Sequence, residues 1–352
     1  MEEMVNLSFY KGKKVFITGH TGFKGSWLSK IMIMAGAQVT GYSLEASTTP
    51  NLFDLLGLQN KMNSIIGDIR DLQKLKQTIE NAQPEIVFHL AAQPIVRESY
   101  VNPVDTYSTN VMGTVNLLEA CRNISSIKSI VNVTTDKVYE NKEWSWGYRE
   151  NENLCGYDPY SNSKSCSELV TYSYKNSFYY FENSPSISTA RSGNVIGGGD
   201  FSVDRIIPDC VRANIKNEEI VVRNPYSTRP YQHVLECLRG YLTLAIKHYD
   251  KEIAGNYNFG PNESDCVTTG QIVNMFCDNW QGAKWIERYD GGPHEANFLK
   301  LDCSKAKVKL NWYPKWNIAD AIKYTVQWYQ VFVNNGDLLD VTESQIKEYF
   351  GI

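Results

Sequence analysis

The chain has 352 residues and a formal net charge of -4, with 42% hydrophobic and 21% charged residues. Proteins that bind nucleic acid usually carry a basic excess, so this charge balance argues against nucleic acid as a partner. The length suffices for one large α/β domain or two fused lobes around a buried core.

Three features of the sequence bear on where the protein works. The longest apolar stretch, 27–37, is interrupted by Ser29 and Lys30 and is too short to span a bilayer. The N-terminus shows no basic segment followed by an apolar run and a cleavage site, so we expect no signal peptide. Eight dispersed cysteines without a CxxC pair favour reduced thiols, no metal site and a cytoplasmic protein.

Apolar runs alternate with helical patterns through the first half of the chain. The first strand is predicted at 14–18, and glycines and a helix over about 24–35 follow it. Further strands are predicted, in chain order, at 38–42, 64–66, 85–90 and 130–134. This alternation is typical of a parallel sheet covered by helices on both faces.

The alternation of apolar runs and helical patterns ends at about Arg191. A glycine-rich stretch follows, and the later segments are shorter and more mixed in composition. The sequence therefore predicts an α/β fold, with a Rossmann-like doubly wound parallel sheet and a smaller mixed α/β C-terminal substrate lobe. The predicted dinucleotide-binding domain is 1–190, with a later return segment near 229–260. The predicted substrate lobe is mainly 191–352.

The loop after the first strand, Gly19–Gly25, reads Gly-His-Thr-Gly-Phe-Lys-Gly and opens the first helix. Glycines at this spacing permit a sharp turn and close approach to a pyrophosphate, which the helix N-terminus then favours. The strand–turn–helix context predicts dinucleotide binding; the alternative is a structural turn. His20 and Lys24 either add phosphate contacts or crowd the cofactor.

Two features concern the adenosine end of that site. The second predicted strand ends without the acidic residue that grips a ribose 2′-hydroxyl, so NAD and NADP both stay open. Asp68 follows the third strand, where it either hydrogen-bonds an adenine amino group or is a solvated loop residue.

Tyr160 and Lys164 lie four residues apart, so they share one face of a predicted helix. Asp158 is a plausible cap for that helix and Pro159 suits its first turn. A nearby ammonium lowers the pKa of a phenol, as a base working near neutrality requires. The pair therefore predicts catalysis, against the alternative of a surface Tyr–Lys pair.

Thr135, Asp136 and Lys137 follow the fifth predicted strand. Ligands of a doubly wound sheet bind at the carboxyl ends of strands, so all three are candidates for the same site. Thr135 is placed to hydrogen-bond the hydroxyl that Tyr160 deprotonates. The alternative for Asp136 and Lys137 is a capped turn with a local ion pair.

Together these residues resemble the extended short-chain dehydrogenase/reductase family over nearly the whole chain. Segments 89–93 and 110–114 match it too. Within that family, segments 19–27, 135–139, 144–150 and 229–234 resemble CDP-glucose 4,6-dehydratases. Related dTDP-glucose dehydratases usually carry Asp-Glu where this chain has Asp136-Lys137. Relatives also tend to have two glycines at the position of Cys155-Gly156.

The resemblance implies a reaction on a nucleotide-activated hexose. Tyr160 takes the O4 proton while hydride leaves C4, water departs across C5–C6 with Asp136 as proton donor, and the hydride returns to C6. The product is a 4-keto-6-deoxy sugar. Lys137 stands where dTDP relatives have the Glu thought to remove the C5 proton. It acts as a base only if its pKa is depressed; otherwise it stabilises the enolate as a cation.

The resemblance also implies the binding residues. The implied cofactor is NAD, with NADP open, bound by Gly19, His20, Thr21, Gly22, Phe23, Lys24, Gly25, Asp68, Ile69, Leu90, Ala91, Ala92, Asn110, Thr134, Tyr160 and Lys164. The implied substrate is a CDP-hexose, bound by Gln93, Asn194, Arg205, Ile206, Arg229 and His233, with Arg229 as the diphosphate clamp. A homo-oligomer without membrane or nucleic-acid partners is expected.

Three other functions share parts of this pattern. A 4-epimerase on a nucleotide sugar needs Thr135, Tyr160 and Lys164 but not Asp136 as an acid. A reductase consumes NADPH stoichiometrically, whereas dehydration shows no net cofactor turnover. A non-catalytic dinucleotide sensor has no need to keep Thr, Tyr and Lys together. The base and the exact sugar stay open.

Overall fold

The computed structural model describes residues 5–249, 253–289, 291–292 and 296–352. Its strands are β1 (Lys14–Thr18), β2 (Gln38–Ser43), β3 (Asn63–Ile66), β4 (Ile86–His89), β5 (Ser129–Val133), β6 (Ser186–Ser192), β7 (Val195–Ile196), β8 (Ile220–Val222), β9 (Thr228–Arg229), β10 (Gln232–His233), β11 (Asn256–Phe259), β12 (Val267–Thr268) and β13 (Trp285–Glu287).

The α-helices are α1 (Phe23–Met34), α2 (Leu52–Leu55), α3 (Leu72–Ala82), α4 (Val96–Val101), α5 (Pro103–Tyr107), α6 (Gly113–Cys121), α7 (Pro159–Phe178), α8 (Ile206–Ile215), α9 (Val234–Lys247), α10 (Thr269–Asn279), α11 (Ser304–Leu310), α12 (Ile318–Val333) and α13 (Leu338–Phe350). Short 3-10 turns lie at Leu7–Tyr10, Leu58–Asn60, Asp136–Val138 and Glu263–Asp265, and a π-helical turn lies at Ser108–Met112.

The main sheet has seven parallel strands in the order β11-β6-β5-β4-β1-β2-β3. Strand order reverses at β1, because β2 and β3 extend the sheet on one side and β4, β5 and β6 extend it on the other. Ligands of doubly wound sheets bind at the carboxyl ends of strands beside such a reversal. The ends of β1 and β4 therefore mark the expected dinucleotide site.

Apolar side chains cover both faces of the sheet, as β1 illustrates. Val15 and Ile17 belong to one core cluster with residues of α1 and α9, whereas Phe16 belongs to another with residues of α3 and α6. All three side chains are almost fully buried. A strand covered on both faces has no solvent side, which explains its continuously apolar sequence.

The C-terminal half contributes to the sheet as well as to a smaller lobe. Helix α9 packs against β5 and β6, and β11 pairs with β6 at the edge of the sheet. The short pairs β7–β10, β8–β13 and β9–β12 lie outside the main sheet, and α8 and α10 pack against them and each other. The boundaries drawn from the sequence for the two domains stay a prediction.

The predicted fold class is confirmed, and so are the five strands and the first helix. The observed β1 has the predicted bounds, and the bounds of the other predicted elements differ by no more than one residue at each end. Strands β6 and β11 were not predicted, although both belong to the main sheet.

Candidate active site

A cleft of about 1490 Å³ opens at the carboxyl ends of the main strands, between the sheet and the smaller lobe. One wall consists of the glycine loop and the segments after β3, β4 and β5, and the other consists of the N-terminal part of α8 and residues near β8 and β9. The first turn of α7 also lines the cleft. Most of the predicted site residues therefore face one shared space.

The glycine loop leaves room for a ligand at the N-terminus of α1. Gly19 has a φ of 74°, and a Cβ atom there would lie 2.8 Å from the Ala91 nitrogen. A Cβ on Gly25 would lie 2.0 Å from the Gly19 oxygen, so both glycines are required by close packing. Gly22 caps the helix and faces open space beyond that same oxygen. This backbone cradle fits a pyrophosphate.

The His20 side chain does not line the cleft, which corrects the expectation that it lies near the pyrophosphate. Its ring covers Gly41 of β2, with Nε2 2.7 Å from Ser64 Oγ and Nδ1 3.2 Å from Ser43 Oγ. Burial lowers the pKa of His20 to about 4, so the ring is neutral near pH 7. Only the main chain of His20 belongs to the loop over the cleft.

Lys24 lines the cleft and reaches the carboxyl end of β6 in the main sheet. Its Nζ donates to Ser192 Oγ at 3.2 Å. Burial lowers the pKa of Lys24, and Arg205 acts in the same direction, whereas Asp136 opposes the shift. The side chain therefore lies on the substrate side of the loop.

The ends of β2 and β3 form the far wall of this part of the cleft. Asp68 lines it and receives a bidentate contact from Arg70, which lowers the pKa of its carboxyl. Ile69 is buried against Gly113. Glu45 also lines the cleft, beyond the end of β2, although sequence reasoning found no acid there. Glu45 lies twenty residues after Gly25, and this spacing could have identified it as the acidic residue that binds a ribose hydroxyl.

The segment after β4 brings Leu90, Ala91, Ala92 and Gln93 to the cleft. Asn110 lies behind them: its Oδ1 accepts from the Gln93 nitrogen at 2.9 Å, and its Nδ2 donates to Ser163 Oγ at 2.8 Å. Asn110 is buried and is not among the cleft-lining residues. This corrects the expectation of a cofactor contact, since its side chain joins the β4 segment to α7 instead.

Tyr160 lies in the first turn of α7, which Asp158 caps and Pro159 begins, as predicted. Its phenol lines the cleft beside Thr135. Burial raises the pKa of Tyr160 to about 12, although Thr135 and Arg205 act to lower it. The expected lowering of the phenol pKa is therefore not found, because burial outweighs the effects of Thr135 and Arg205.

Lys164 lies one helical turn further along α7 and also lines the cleft. Its Nζ donates to the Val133 carbonyl oxygen at 3.2 Å. Burial and the neighbouring Lys24 lower the pKa of Lys164 to about 8, while Glu168 opposes the shift. Lys164 is thus close to its titration point at neutral to slightly alkaline pH.

The Asp136 carboxyl lies on the floor of the cleft and is almost fully buried. Its Oδ1 accepts from Thr135 Oγ1 at 2.9 Å, whereas Oδ2 has no hydrogen-bond partner within the described part of the chain. Burial raises the pKa of Asp136 despite the opposing charges of Lys137, Arg229 and Lys24. A carboxyl in this state is suited to donate a proton.

Lys137 is half-buried and lines the cleft beside Asp136. It stands in a 3-10 turn that Thr135 caps by accepting from the Lys137 nitrogen at 3.4 Å. The capped turn that was considered as the alternative is therefore present. The same turn also presents Asp136 and Lys137 to the cleft, and Thr134 precedes it there.

Three residues predicted to bind substrate line the opposite wall, namely Asn194, Arg205 and Ile206. Arg205 precedes α8, and its Nη1 lies 3.5 Å from Asp200 Oδ2. Arg229 also lines the cleft, where its guanidinium donates to the carbonyl oxygens of Thr228 and Ala296.

His233 is placed away from the cleft, which corrects its assignment as a substrate contact. Its Nδ1 accepts from the Leu235 nitrogen at 3.3 Å and so caps α9. The ring packs between Trp27 and Trp316, with centroids 5.9 and 4.9 Å away. Burial lowers the pKa of His233 to about 3, so it is a neutral capping residue.

Sequence reasoning missed further cleft residues, among them Glu143 and Arg288. Glu143 has a φ of 52° and accepts from the Asn297 nitrogen at 2.6 Å. The loop after β5 is thereby tied to the segment that follows β13. Arg288 follows β13 directly, and no motif in the sequence marks it.

Two further expectations concern metals and membranes. Among residues 5–249, 253–289, 291–292 and 296–352, no group of His, Cys, Asp and Glu side chains could hold a metal ion. The helices in those ranges include none with the length and apolar character needed to cross a membrane. All eight cysteines are free thiols.

The doubly wound sheet, the glycine cradle and the Tyr160–Lys164 pair at one cleft define the class of extended short-chain dehydrogenase/reductases. The sequence profile of the family described as GDP-mannose 4,6 dehydratase matches residues 16–325. The chain therefore belongs to that family.

Individual relatives refine this placement. The chain is 48% identical over 353 aligned residues to the CDP-glucose 4,6-dehydratase of Salmonella typhimurium, covering 98% of each chain. The fold is similar to a UDP-glucuronic acid 4-epimerase from Bacillus cereus, with a TM-score of 0.78, 22% identity and coverage of 90% and 99%. It is also similar to a dTDP-glucose 4,6-dehydratase from Bacillus anthracis, with a TM-score of 0.76, 22% identity and coverage of 92% and 99%.

Proposed function

We propose that this chain is an NAD-dependent hydro-lyase that converts CDP-glucose to CDP-4-keto-6-deoxyglucose. The observation that carries the proposal is the buried Asp136 carboxyl, which keeps one oxygen free in the described structure next to Tyr160 and Thr135. A 4-epimerase needs Tyr160 and Thr135 but no proton donor for water loss. The relative that is 48% identical over nearly the full length supports the CDP-sugar.

The backbone cradle of Gly19, Gly22 and Gly25 supports binding of a dinucleotide, because added side chains would fill or distort it. Bound NAD would supply the acceptor, and later the donor, of the transferred hydride. Glu45 at the end of β2 supports NAD over NADP, since a carboxylate accepts from a ribose 2′-hydroxyl and repels a 2′-phosphate.

Tyr160 is proposed to remove the O4 proton of the sugar, with Thr135 holding the same hydroxyl. Both side chains line the same cleft, and Thr135 acts to lower the pKa of Tyr160, so we expect one sugar oxygen to contact both. Lys164 faces the same cleft from the next turn of α7 and contributes a positive charge. Because burial raises the pKa of Tyr160, proton transfer requires this neighbouring charge to act when the substrate is bound.

Asp136 is proposed to act in the elimination step. Oxidation at C4 acidifies the C5 proton, the C6–O bond breaks, and the Asp136 proton joins the departing hydroxyl as water. The raised pKa of Asp136 favours the protonated carboxyl, which is the form that donates in this step. Lys137, half-buried beside it, is proposed either to take the C5 proton or to stabilise the enolate.

The diphosphate and nucleoside are proposed to lie along the smaller lobe. Arg229 is the proposed diphosphate clamp, because a guanidinium pairs with phosphate oxygens in a fixed geometry. Asn194 stands beside it on the cleft wall, and Arg205 with Ile206 extends the wall toward the nucleoside. We retain the two-lobe division, with substrate binding mainly in 191–352, as part of this proposal.

The proposal includes a cytoplasmic homo-oligomer. Exposed apolar side chains on α4, α5 and α7 support an association surface for a second copy, among them Val101, Val104, Leu169 and Tyr172. Surface clusters of this kind are typical of protein–protein contacts.

The test of the proposed function is a substrate panel. The protein is incubated with NAD and with CDP-, dTDP-, GDP- and UDP-glucose and GDP-mannose, and mass spectrometry follows loss of one water. We expect water loss from CDP-glucose with no net change in NAD. Reaction of dTDP-glucose or GDP-mannose alone would reject the CDP assignment, and an unchanged mass with an inverted C4 would indicate an epimerase.

A further inference from the structure

Beneath the cleft, the Glu168 carboxylate is buried on α7, one turn after Lys164. Its Oε1 accepts from Thr134 Oγ1 at 2.5 Å and from Arg191 Nε at 2.9 Å. Its Oε2 accepts from Thr189 Oγ1 at 2.7 Å and from Arg191 Nη2 at 2.9 Å. Four donors thus hold both oxygens in place.

The loop 134–139 carries the proposed catalytic residues, and these contacts hold it in place at both ends. Thr134 directly precedes Thr135, and its main-chain nitrogen donates to the Ala190 oxygen at 2.9 Å. At the other end, Arg191 Nη1 donates to the Tyr139 hydroxyl at 2.8 Å. The Glu168–Arg191 ion pair therefore spans the loop from Thr134 to Tyr139.

Glu168 also lies four residues after Lys164 on the same face of α7, and its negative charge acts to raise the pKa of Lys164. Lys24 of α1 acts on Lys164 with a positive charge, and His89 of β4 is close enough for Lys164 to act on it. Burial lowers the pKa of His89 to about 3, so that ring is neutral. Tyr160 shares the helix face as a protonated phenol. Without Glu168, burial and Lys24 would act on Lys164 unopposed.

We propose that Glu168 is a positioning residue for the dehydration reaction, and this inference rests on the proposed function. Held by Arg191, it fixes the loop that presents Thr135 and Asp136 to the sugar and supplies the negative partner of Lys164. Glu168 touches neither substrate nor cofactor space, since it does not line the cleft.

The test is the pH dependence of kcat with CDP-glucose at saturating NAD. In the wild type we expect the rate to fall on the alkaline side as Lys164 loses its proton near pH 8. In Glu168→Gln the negative charge is lost, so that alkaline midpoint should fall by about one pH unit. At pH values above both midpoints, this shift should lower the kcat of the variant by about a further tenfold relative to the wild type.

Glu168→Asp is the matched control, because it keeps the charge while shortening the side chain. We expect a lower kcat but an alkaline midpoint within about 0.3 pH units of the wild type. Glu168→Gln leaves the buried Arg191 without its carboxylate partner and is at risk of misfolding. The double variant Glu168→Gln/Arg191→Met removes both charges, and we expect it to fold and to show the same downward shift.

A uniform loss of rate at every pH, with the alkaline midpoints unchanged in Glu168→Gln and in the double variant, would overturn the inference. It would leave Glu168 with a structural role alone. Failure of the wild type to release water from CDP-glucose would reject the proposed function itself, and this inference with it.

Discussion

Asp136 on the floor of the cleft and Glu168 in the buried layer beneath it are both buried carboxyl groups, but their pKa values are shifted in opposite directions. Burial raises the pKa of the Asp136 carboxyl, and one of its oxygens has no partner in the described structure. Burial acts to raise the pKa of Glu168 as well, but Arg191 and two threonine hydroxyls outweigh it and the pKa is lowered. The surrounding donors, rather than burial alone, decide the charge of a carboxyl.

The comparison separates two tasks that one site must perform. A proton donor needs a carboxyl that holds its proton more readily than usual, and burial with one unsatisfied oxygen shifts the pKa of Asp136 in that direction. A fixed negative charge needs a carboxylate with every oxygen held, and Glu168 has four donors. The following predictions test whether the two regions differ in this way.

The largest effect is expected from Tyr160→Phe, because this change removes the phenol that is proposed to take the O4 proton. We expect kcat with CDP-glucose to fall by about 10³-fold, since general-base catalysis contributes on this scale. The thermal unfolding midpoint should stay near that of the wild type. Tyr180→Phe, at an exposed position shortly after the same helix, is the control and should leave kcat unchanged. A Tyr160→Phe enzyme with nearly full activity would contradict the assignment.

The two carboxyls should differ in sign when stability is measured by denaturant unfolding at pH 7. Glu168→Gln should lower the free energy of unfolding by about 3–5 kcal/mol, because Arg191 is left buried and unpaired. Asp136→Asn should raise it by about 1 kcal/mol, because a carboxyl that resists ionisation is replaced by a neutral isostere.

The pH dependence of these differences follows from the directions of the pKa shifts. The pKa of Glu168 is lowered, so its stabilising effect is present above its ordinary range and is lost on acidification. The pKa of Asp136 is raised, so its penalty grows as the pH rises, and the advantage of Asp136→Asn should disappear in acid. If Glu168→Gln and Asp136→Asn changed the free energy of unfolding equally at every pH, the proposed difference between the two carboxyls would be contradicted.

Lys137→Met addresses the group that flanks Asp136 in the cleft. We expect product formation to fall by about 10²-fold, since a positioned base or cation contributes on this scale. Oxidation at C4 should persist, and it can be followed by the absorbance of reduced nicotinamide in a single turnover. Near-normal turnover would remove Lys137 from the mechanism and leave the floor of the cleft to Asp136 alone.

Arg229→Lys should give the smallest of these effects. A lysine keeps the charge but loses the bidentate contact, so we expect KM for CDP-glucose to rise about tenfold. The kcat should change less than about threefold, because the reacting atoms are not touched. A lower kcat at unchanged KM would place Arg229 in the elimination step, through its charge beside Asp136.

The apolar strands could be predicted from the sequence, but the polar strand β6 could not. Its residues Ser186, Ser188, Thr189 and Arg191 are buried, and they hydrogen-bond to His248, which caps the C-terminus of α9, and to Glu168 on α7. Hydrophobic patterning has no signal for a strand whose burial depends on polar partners far along the chain.

The site was predicted where spacing along one element determines geometry. Tyr160 and Lys164 share a helix face, and Thr135 follows a strand end, so all three reach the cleft. His20 and His233 were misplaced because a side-chain direction depends on its neighbours. Small residues of the sheet make room for one ring, and two tryptophans enclose the other.

Hydride transfer from C4 to C6 can be followed directly with CDP-glucose that carries deuterium at C4 and with NAD in catalytic amount. We expect a product that has lost one water and carries the deuterium at C6, with no accumulation of reduced nicotinamide. Deuterium that stays at C4, or that collects in reduced nicotinamide without water loss, would contradict it.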